Sequence, residues 1–139
     1  MTRTAVSPPT VLIVDDEESM RKFVDRVLRT AGYQTMVASD GAEAIDVVLK
    51  IAPDILVTDM MMPKMAGDEL ARRLRQHQPS IKVLYLTGFA DNLFKEKLTL
   101  WEGEAYLDKP CSIKGLLQAV SLLVCGHLEI PGSGATASG

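Results

Sequence analysis

Five polar side chains in these 139 residues have types and positions that suit one reaction. Asp15 and Asp16 follow the apolar run "TVLIV" (10–14), and Asp59 follows "DILVT". Thr87 ends "IKVLYLT" (81–87), and Lys109 comes directly after "EAYLD" (104–108). Each therefore closes a strand-like run. If those runs lie side by side, three carboxylates, a hydroxyl and an ammonium meet at one edge. Three anions so close repel, which costs stability or raises a pKa unless a cation neutralises them. Hard oxygen donors with open coordination positions suit Mg²⁺, which takes only one or two carboxylates directly. Carboxylates, Mg²⁺, a lysine and a hydroxyl are what phosphoryl transfer needs, because its catalysis is mostly positioning and electrostatic stabilisation. A carboxylate can itself be the nucleophile and become an aspartyl phosphate. Asp59 is the best placed for that role, with Asp15 and Asp16 positioned to hold the metal.

The elements that must carry these groups alternate. After the first strand, Met20, Phe23, Val24, Val27, Leu28 and Ala31 recur at helical spacing, and Gly32 stops that helix. "QTMVA" (34–38) is a second, less apolar strand. Residues 41–51 read as a helix with Ile45, Val48 and Leu49 on one face, closed by Pro53, and "DILVT" is the third strand. Residues 67–77 place Leu70 and Leu74 inward and arginines outward. Residues 91–101 read as a fourth helix with a weaker stripe of Leu93, Phe94, Leu98 and Trp101. Ile113, Leu116, Leu117, Val120, Leu123 and Val124 make a fifth. Strands alternating with helices imply parallel pairing through right-handed crossovers. The apolar runs of strands 1, 3 and 4 imply helices on both faces. In the order 2-1-3-4-5, strands 1 and 3 are neighbours and ligands bind at their carboxyl ends.

Each group alone has a plainer reading. Asp16 with Glu18 and Ser19 could simply begin a helix. Asp59 could cap a strand, Thr87-Gly88 could be a turn, and Lys109-Pro110 a helix entry. The methionines 60, 61, 62 and 65 read as packing rather than metal ligands. The joint arrival of five polar groups on one edge favours the chemical reading. Bulk composition fits one ordinary domain, with 47% hydrophobic and 24% charged residues. A net charge of −3 offers no basic field for nucleic acid. No apolar run is long enough to span a membrane, and the first residues lack a secretory apolar core. Cys111 and Cys125 have neither metal-ligand spacing nor a disulfide framework, which fits a reducing cytoplasm. Residues 1–9 read as a flexible arm, 10–126 as the domain, and 127–139, small and Gly-rich, as a disordered tail.

Four marks, "VDDE", "TDMMMPKMAG", "LTG" and "YLDKP", occur in this order after strands 1, 3, 4 and 5. With them the chain resembles the receiver domain of two-component response regulators over about residues 10–125. The resemblance implies a flavodoxin-like open three-layer sandwich, with a five-stranded parallel sheet of order 2-1-3-4-5 and five helices. It implies that Asp59 accepts a phosphoryl group with Mg²⁺ as cofactor. Asp16 would be a direct ligand, Asp15 would act largely through water, and Asp59 and the backbone carbonyl of Met61 would also bind the metal. Lys109 would pair with the phosphoryl group. Thr87 would be the switch hydroxyl and Tyr106 the aromatic that moves with it. Lys109–Pro110 would often be a cis peptide. Met61 and Phe89 would flank the path of the hydrolytic water and tune the lifetime of the phosphoryl group. The partners implied are a sensor histidine kinase or histidine phosphotransfer protein and an unidentified downstream protein, reached through the surface of helix 4, strand 5 and helix 5. Monomer or weak dimer is expected, with no nucleic acid and no membrane.

Two departures stand out: Cys111 replaces the aromatic common after Lys-Pro, and only a short tail follows residue 126. The chain reads as a stand-alone receiver or one taken from a hybrid histidine kinase, without an enzymatic output domain. A dehalogenase-like phosphatase would need a second acid two positions after Asp59, where Met61 stands. A flavin carrier of this fold would cradle phosphate after strand 1, where "DDEES" is anionic. A pseudo-receiver that binds but never reacts is the remaining alternative.

Overall fold

The computed structural model describes residues 8–88, 103–109 and 111–125. In chain order the elements are β1 (Thr10–Val14), α1 (Glu18–Thr30), β2 (Gln34–Ala38), α2 (Gly41–Lys50) and β3 (Ile55–Asp59). They continue with α3 (Gly67–His77), β4 (Lys82–Thr87), β5 (Glu104–Asp108) and α4 (Ile113–Cys125). The sheet order is β2-β1-β3-β4-β5, and each neighbouring pair is parallel. This is the expected flavodoxin-like sheet. The expected helix over 91–101 lies outside the described residues, as do Phe89, Trp101, Pro110 with its peptide bond, and the tail from 126.

Period-two alternation splits each central strand between two cores. Leu12, Val14, Leu56, Val83 and Tyr85 face one core, closed by α2 and α3 through Ala44, Val48, Leu70, Ala71 and Leu74. Val11, Ile13, Ile55, Val57, Leu84 and Leu86 face the other, closed by α1 and α4 through Val24, Val27, Leu28, Leu116, Val120 and Leu123. With both faces covered, β3 is buried along its whole length, Asp59 included.

Several boundaries differ from the sequence reading for local reasons. Asp54 lies before β3, and its carboxylate accepts from the Thr10 amide at 2.8 Å. Gln34 donates its amide to the Pro9 carbonyl, so the last residue of the arm is already tied to the sheet. In α2 the buried pair is Ala44 and Val48, and Leu49, expected inward, is 63% exposed. One residue rotates a helix by about 100°, which carries Leu49 past the core-facing stripe. In α4, Leu116, Val120 and Leu123 are buried while Ile113 and Val124, near the two ends, are exposed.

Two glycines have geometric work. Gly32, at φ +102°, ends α1 in a conformation that side chains disfavour. A Cβ on Gly67 would lie 2.3 Å from the Asp59 carbonyl oxygen, so only glycine lets α3 begin this close to the end of β3. The Gly67 amide donates to the Met60 carbonyl at 2.8 Å across that contact.

Candidate functional site

The parallel register sets the carboxyl ends of β1, β3, β4 and β5 along one edge. Asp15 follows β1 and is 1% exposed, and Asp59 ends β3 at 6%. Asp16 is exposed beside them. Carboxylate oxygens of Asp15, Asp16 and Asp59 lie within 4.8 Å of one another. Lys109 follows β5, and its amide donates to the Thr87 carbonyl at 2.7 Å, which extends the ladder one step. Its ammonium stands 3.1 Å from Asp15 Oδ2 and 3.1 Å from Asp59 Oδ1. Four of the five groups that sequence spacing assigned to this edge therefore meet.

The loops hold these groups from behind. The Glu17 amide donates to Asp15 Oδ1 at 2.9 Å. Arg21 Nη1 donates to the Asp15 carbonyl at 2.8 Å, which ties the first turn of α1 to the acidic loop. Glu17, not Asp16, is the residue that opens α1, and no side chain caps that helix. Asp16 therefore remains available to the cluster, and the reading of it as a helix cap does not hold. After β3, Lys64 has φ +73°, and the Met65 amide donates to the Pro63 carbonyl at 2.8 Å. This tight three-residue turn is uncommon for a side-chain-bearing residue. It lets the chain double back from Asp59 to Gly67, leaving Met61 56% exposed at the rim and Met60 buried.

The charges are unbalanced. Burial first, then the charge of Asp15, pushes the Asp59 carboxyl up to about 6, against the pull of Lys109. Burial opposes the charge on Lys109, yet Asp15 and Asp59 together hold its pKa above the ordinary lysine value. Among the described residues, Asp15 Oδ2 is buried without an aligned hydrogen-bond donor and is met by the Lys109 ammonium. One ammonium cannot neutralise three carboxylates. An under-satisfied buried oxygen within an all-oxygen donor set fits a hard divalent cation of the Mg²⁺ class.

Thr87 is fully buried at the end of β4, and its hydroxyl donates to Asp108 Oδ1 at 3.1 Å. Tyr106 on β5 is 45% exposed. Thr87 thus shares the edge with the acids, but its proton points along it to Asp108. Sequence spacing did not reveal Arg21 or Asp108. Arg21 lies one turn into α1, a place that usually means an exposed helix face. Asp108 stands next to Lys109 in "YLDKP", but its link to Thr87 depends on the β4–β5 register, which pairs the two residues.

Residues 11–121 match the family described as response regulator receiver domain. Sensor kinase CckA of Brucella abortus (strain 2308) is 36% identical over 113 residues, 80% of this chain and 12% of that protein. Transcriptional regulatory protein TrcR of Mycobacterium tuberculosis (strain ATCC 25618 / H37Rv) is 37% identical over 128 residues, 90% of this chain and 49% of that protein. The chain therefore spans a small part of the kinase and about half of the regulator. Among solved structures, chemotaxis response regulator CheY4 of Vibrio cholerae superposes with a TM-score of 0.75 at 29% identity, covering 84% of this chain and 99% of that one. Among the described residues, no helix is long and apolar enough to cross a membrane.

Proposed function

The chain belongs to the response regulator receiver domain family of two-component signalling, and from that premise we propose that it takes one phosphoryl group on Asp59. The donor is a phosphohistidine on a sensor histidine kinase or a histidine phosphotransfer protein. An Asp59 oxygen attacks phosphorus as the phosphorus–nitrogen bond breaks. The electron pair of that bond stays on the imidazole, which then takes a proton from solvent. A carboxylate whose pKa is raised to about 6 is still ionised at neutral pH and is more basic than an ordinary aspartate. Lys109 already touches Asp59 and needs only to turn its ammonium toward the arriving phosphoryl oxygens. Asp15, Asp16, Asp59 and the Met61 carbonyl would hold Mg²⁺, which when bound neutralises charge on those oxygens.

The output follows from Thr87. A phosphoryl group on Asp59 offers its hydroxyl a charged acceptor, and Tyr106, now exposed, turns inward beside it. That would change the surface over residues 91–101, 104–108 and 113–125, which a downstream protein reads. By the family's pattern Met61 and Phe89 would flank the path of the hydrolytic water, and neither side chain has a group to activate it, which favours a long-lived phosphoryl state.

The observation that carries this reading is the Lys109 ammonium 3.1 Å from both Asp15 and Asp59, inside a cluster of three carboxylates. The test is intact-mass analysis after incubation with acetyl phosphate and Mg²⁺. The parent should gain one phosphoryl group and Asp59→Asn none. A folded parent that gains nothing would make the chain a binding module instead, and equal labelling of the variant would remove Asp59 from the role.

A further inference from the structure

The face of β5 that carries Glu104, Tyr106 and Asp108 does more than pair with β4. Two of its carboxylates each hold a hydroxyl of the neighbouring strand. Tyr85 donates to Glu104 Oε2 at 3.2 Å, and Thr87 donates to Asp108 Oδ1 at 3.1 Å. The register sets Thr87 directly opposite Asp108, so this contact is built into the strand pairing. A threonine hydroxyl has one proton. While Asp108 accepts it, no oxygen on Asp59 can.

We propose that Asp108 is a positioning residue that withholds the Thr87 hydroxyl from Asp59 and so sets how strongly the receiver rests in its unswitched state. The proposal rests on the reading of Asp59 as phosphoacceptor and Thr87 as switch hydroxyl. A phosphoryl group must outcompete a carboxylate for one proton. A neutral or apolar side chain at position 108 would lower that barrier. Thr87 is fully buried, so water offers its hydroxyl no substitute partner. Asp108 itself lies toward the surface, where screening weakens its hold. Breaking the contact should therefore tighten binding of a phosphoryl mimic by about fivefold, the size of an ordinary net hydrogen bond and less than a fully buried charge-assisted one.

The test is calorimetric titration of the full chain with beryllofluoride and Mg²⁺, for the parent, Asp108→Ala, Thr87→Val and the double variant. If Asp108 acts through the hydroxyl, Asp108→Ala tightens binding about fivefold when Thr87 is present and leaves it unchanged in the Thr87→Val background. Equal tightening in both backgrounds would mean that Asp108 merely repels the anion, and the proposal would be wrong. No tightening in either would also overturn it. A second readout does not depend on the phosphoryl site. In the ligand-free protein, Asp108→Ala should move the Thr87 methyl resonance, and an unmoved resonance would contradict the contact. A parent that binds no beryllofluoride while that resonance does move would fault the phosphoacceptor reading rather than the hydrogen bond.

Discussion

Two buried carboxylates of this sheet, Asp59 and Glu104, each meet a cation. Asp59 meets Lys109 at the carboxyl end of β3, where Asp15 and Asp16 add their charges. Glu104 begins β5, its side chain 1% exposed, and meets Arg75 of α3 and the hydroxyl of Tyr85. In the second cluster the carboxylate is satisfied: a guanidinium meets it and the phenol donates to it. Burial, then Glu104, pushes the Tyr85 phenol far up, so it stays a neutral donor. In the first cluster anions outnumber cations and an Asp15 oxygen lacks an aligned donor. A closed pair of this kind joins α3 to the sheet. An open excess of negative charge is what the proposed binding of a cation and transfer of a phosphoryl group require. Burial alone does not separate the two clusters, but how far their buried oxygens are satisfied does.

Removing each cation in turn tests that contrast hardest. Lys109→Met should slow phosphorylation of Asp59 by acetyl phosphate by about 100-fold, the usual size for one lost charge-stabilising donor. Arg75→Met should leave that rate unchanged and instead lower stability. Rates from intact mass and midpoints from urea unfolding measure both. A comparable loss of rate from Arg75→Met would erase the distinction.

Neutralising each carboxylate should shift stability in opposite directions. For Asp59 the gap between the ordinary 3.8 and about 6 corresponds to roughly 3 kcal/mol at neutral pH. The sign follows from which state holds the proton. Folded Asp59 keeps its proton to higher pH than the unfolded chain, so its favourable contribution is complete below about 3.8 and lost as pH rises through about 6. In chelator, Asp59→Asn should therefore be about 2–3 kcal/mol more stable than the parent at pH 7.5, and the gain should vanish toward pH 4. Mg²⁺ should shrink it by stabilising the parent more than the variant, which has one carboxylate fewer at the cluster. Glu104→Gln should lose about 1–3 kcal/mol, because it leaves Arg75 without its carboxylate. Urea titrations across pH check both signs, and a destabilised Asp59→Asn in chelator would contradict the charge-excess account.

The smallest effect concerns the two positions that the family's pattern sets beside the water path. Changing Met61→Asn together with Phe89→Glu should speed loss of the phosphoryl group about tenfold, or roughly 1.4 kcal/mol of barrier. Decay of the phosphorylated protein at fixed Mg²⁺ measures it. Equal lifetimes would mean that these side chains do not guard the water path.

The open cluster could be read from the sequence and the closed one could not. Asp15, Asp59, Thr87 and Lys109 each sit at the end of an apolar run, so a parallel sheet order alone brings them together. Glu104 looked like an ordinary strand start, because its partners lie 29 and 19 positions away in sequence. Pairings of that span follow from register and helix rotation, which apolar periodicity does not fix. The same limit hid the Thr87–Asp108 contact, and it misplaced Leu49, whose burial hung on one step of helix rotation. The alternation of strands and helices survived because each strand's burial pattern is wide enough to absorb a shift of one residue.

Locating the phosphoryl group on the chain tests the central claim most directly. After treatment with acetyl phosphate and Mg²⁺, borohydride reduces an aspartyl phosphate to the alcohol homoserine, which survives digestion and can be placed by peptide sequencing in a mass spectrometer. The charge-excess account predicts homoserine at position 59 and unaltered aspartate at positions 15 and 16. Conversion at another carboxylate, or none in folded protein, would contradict it.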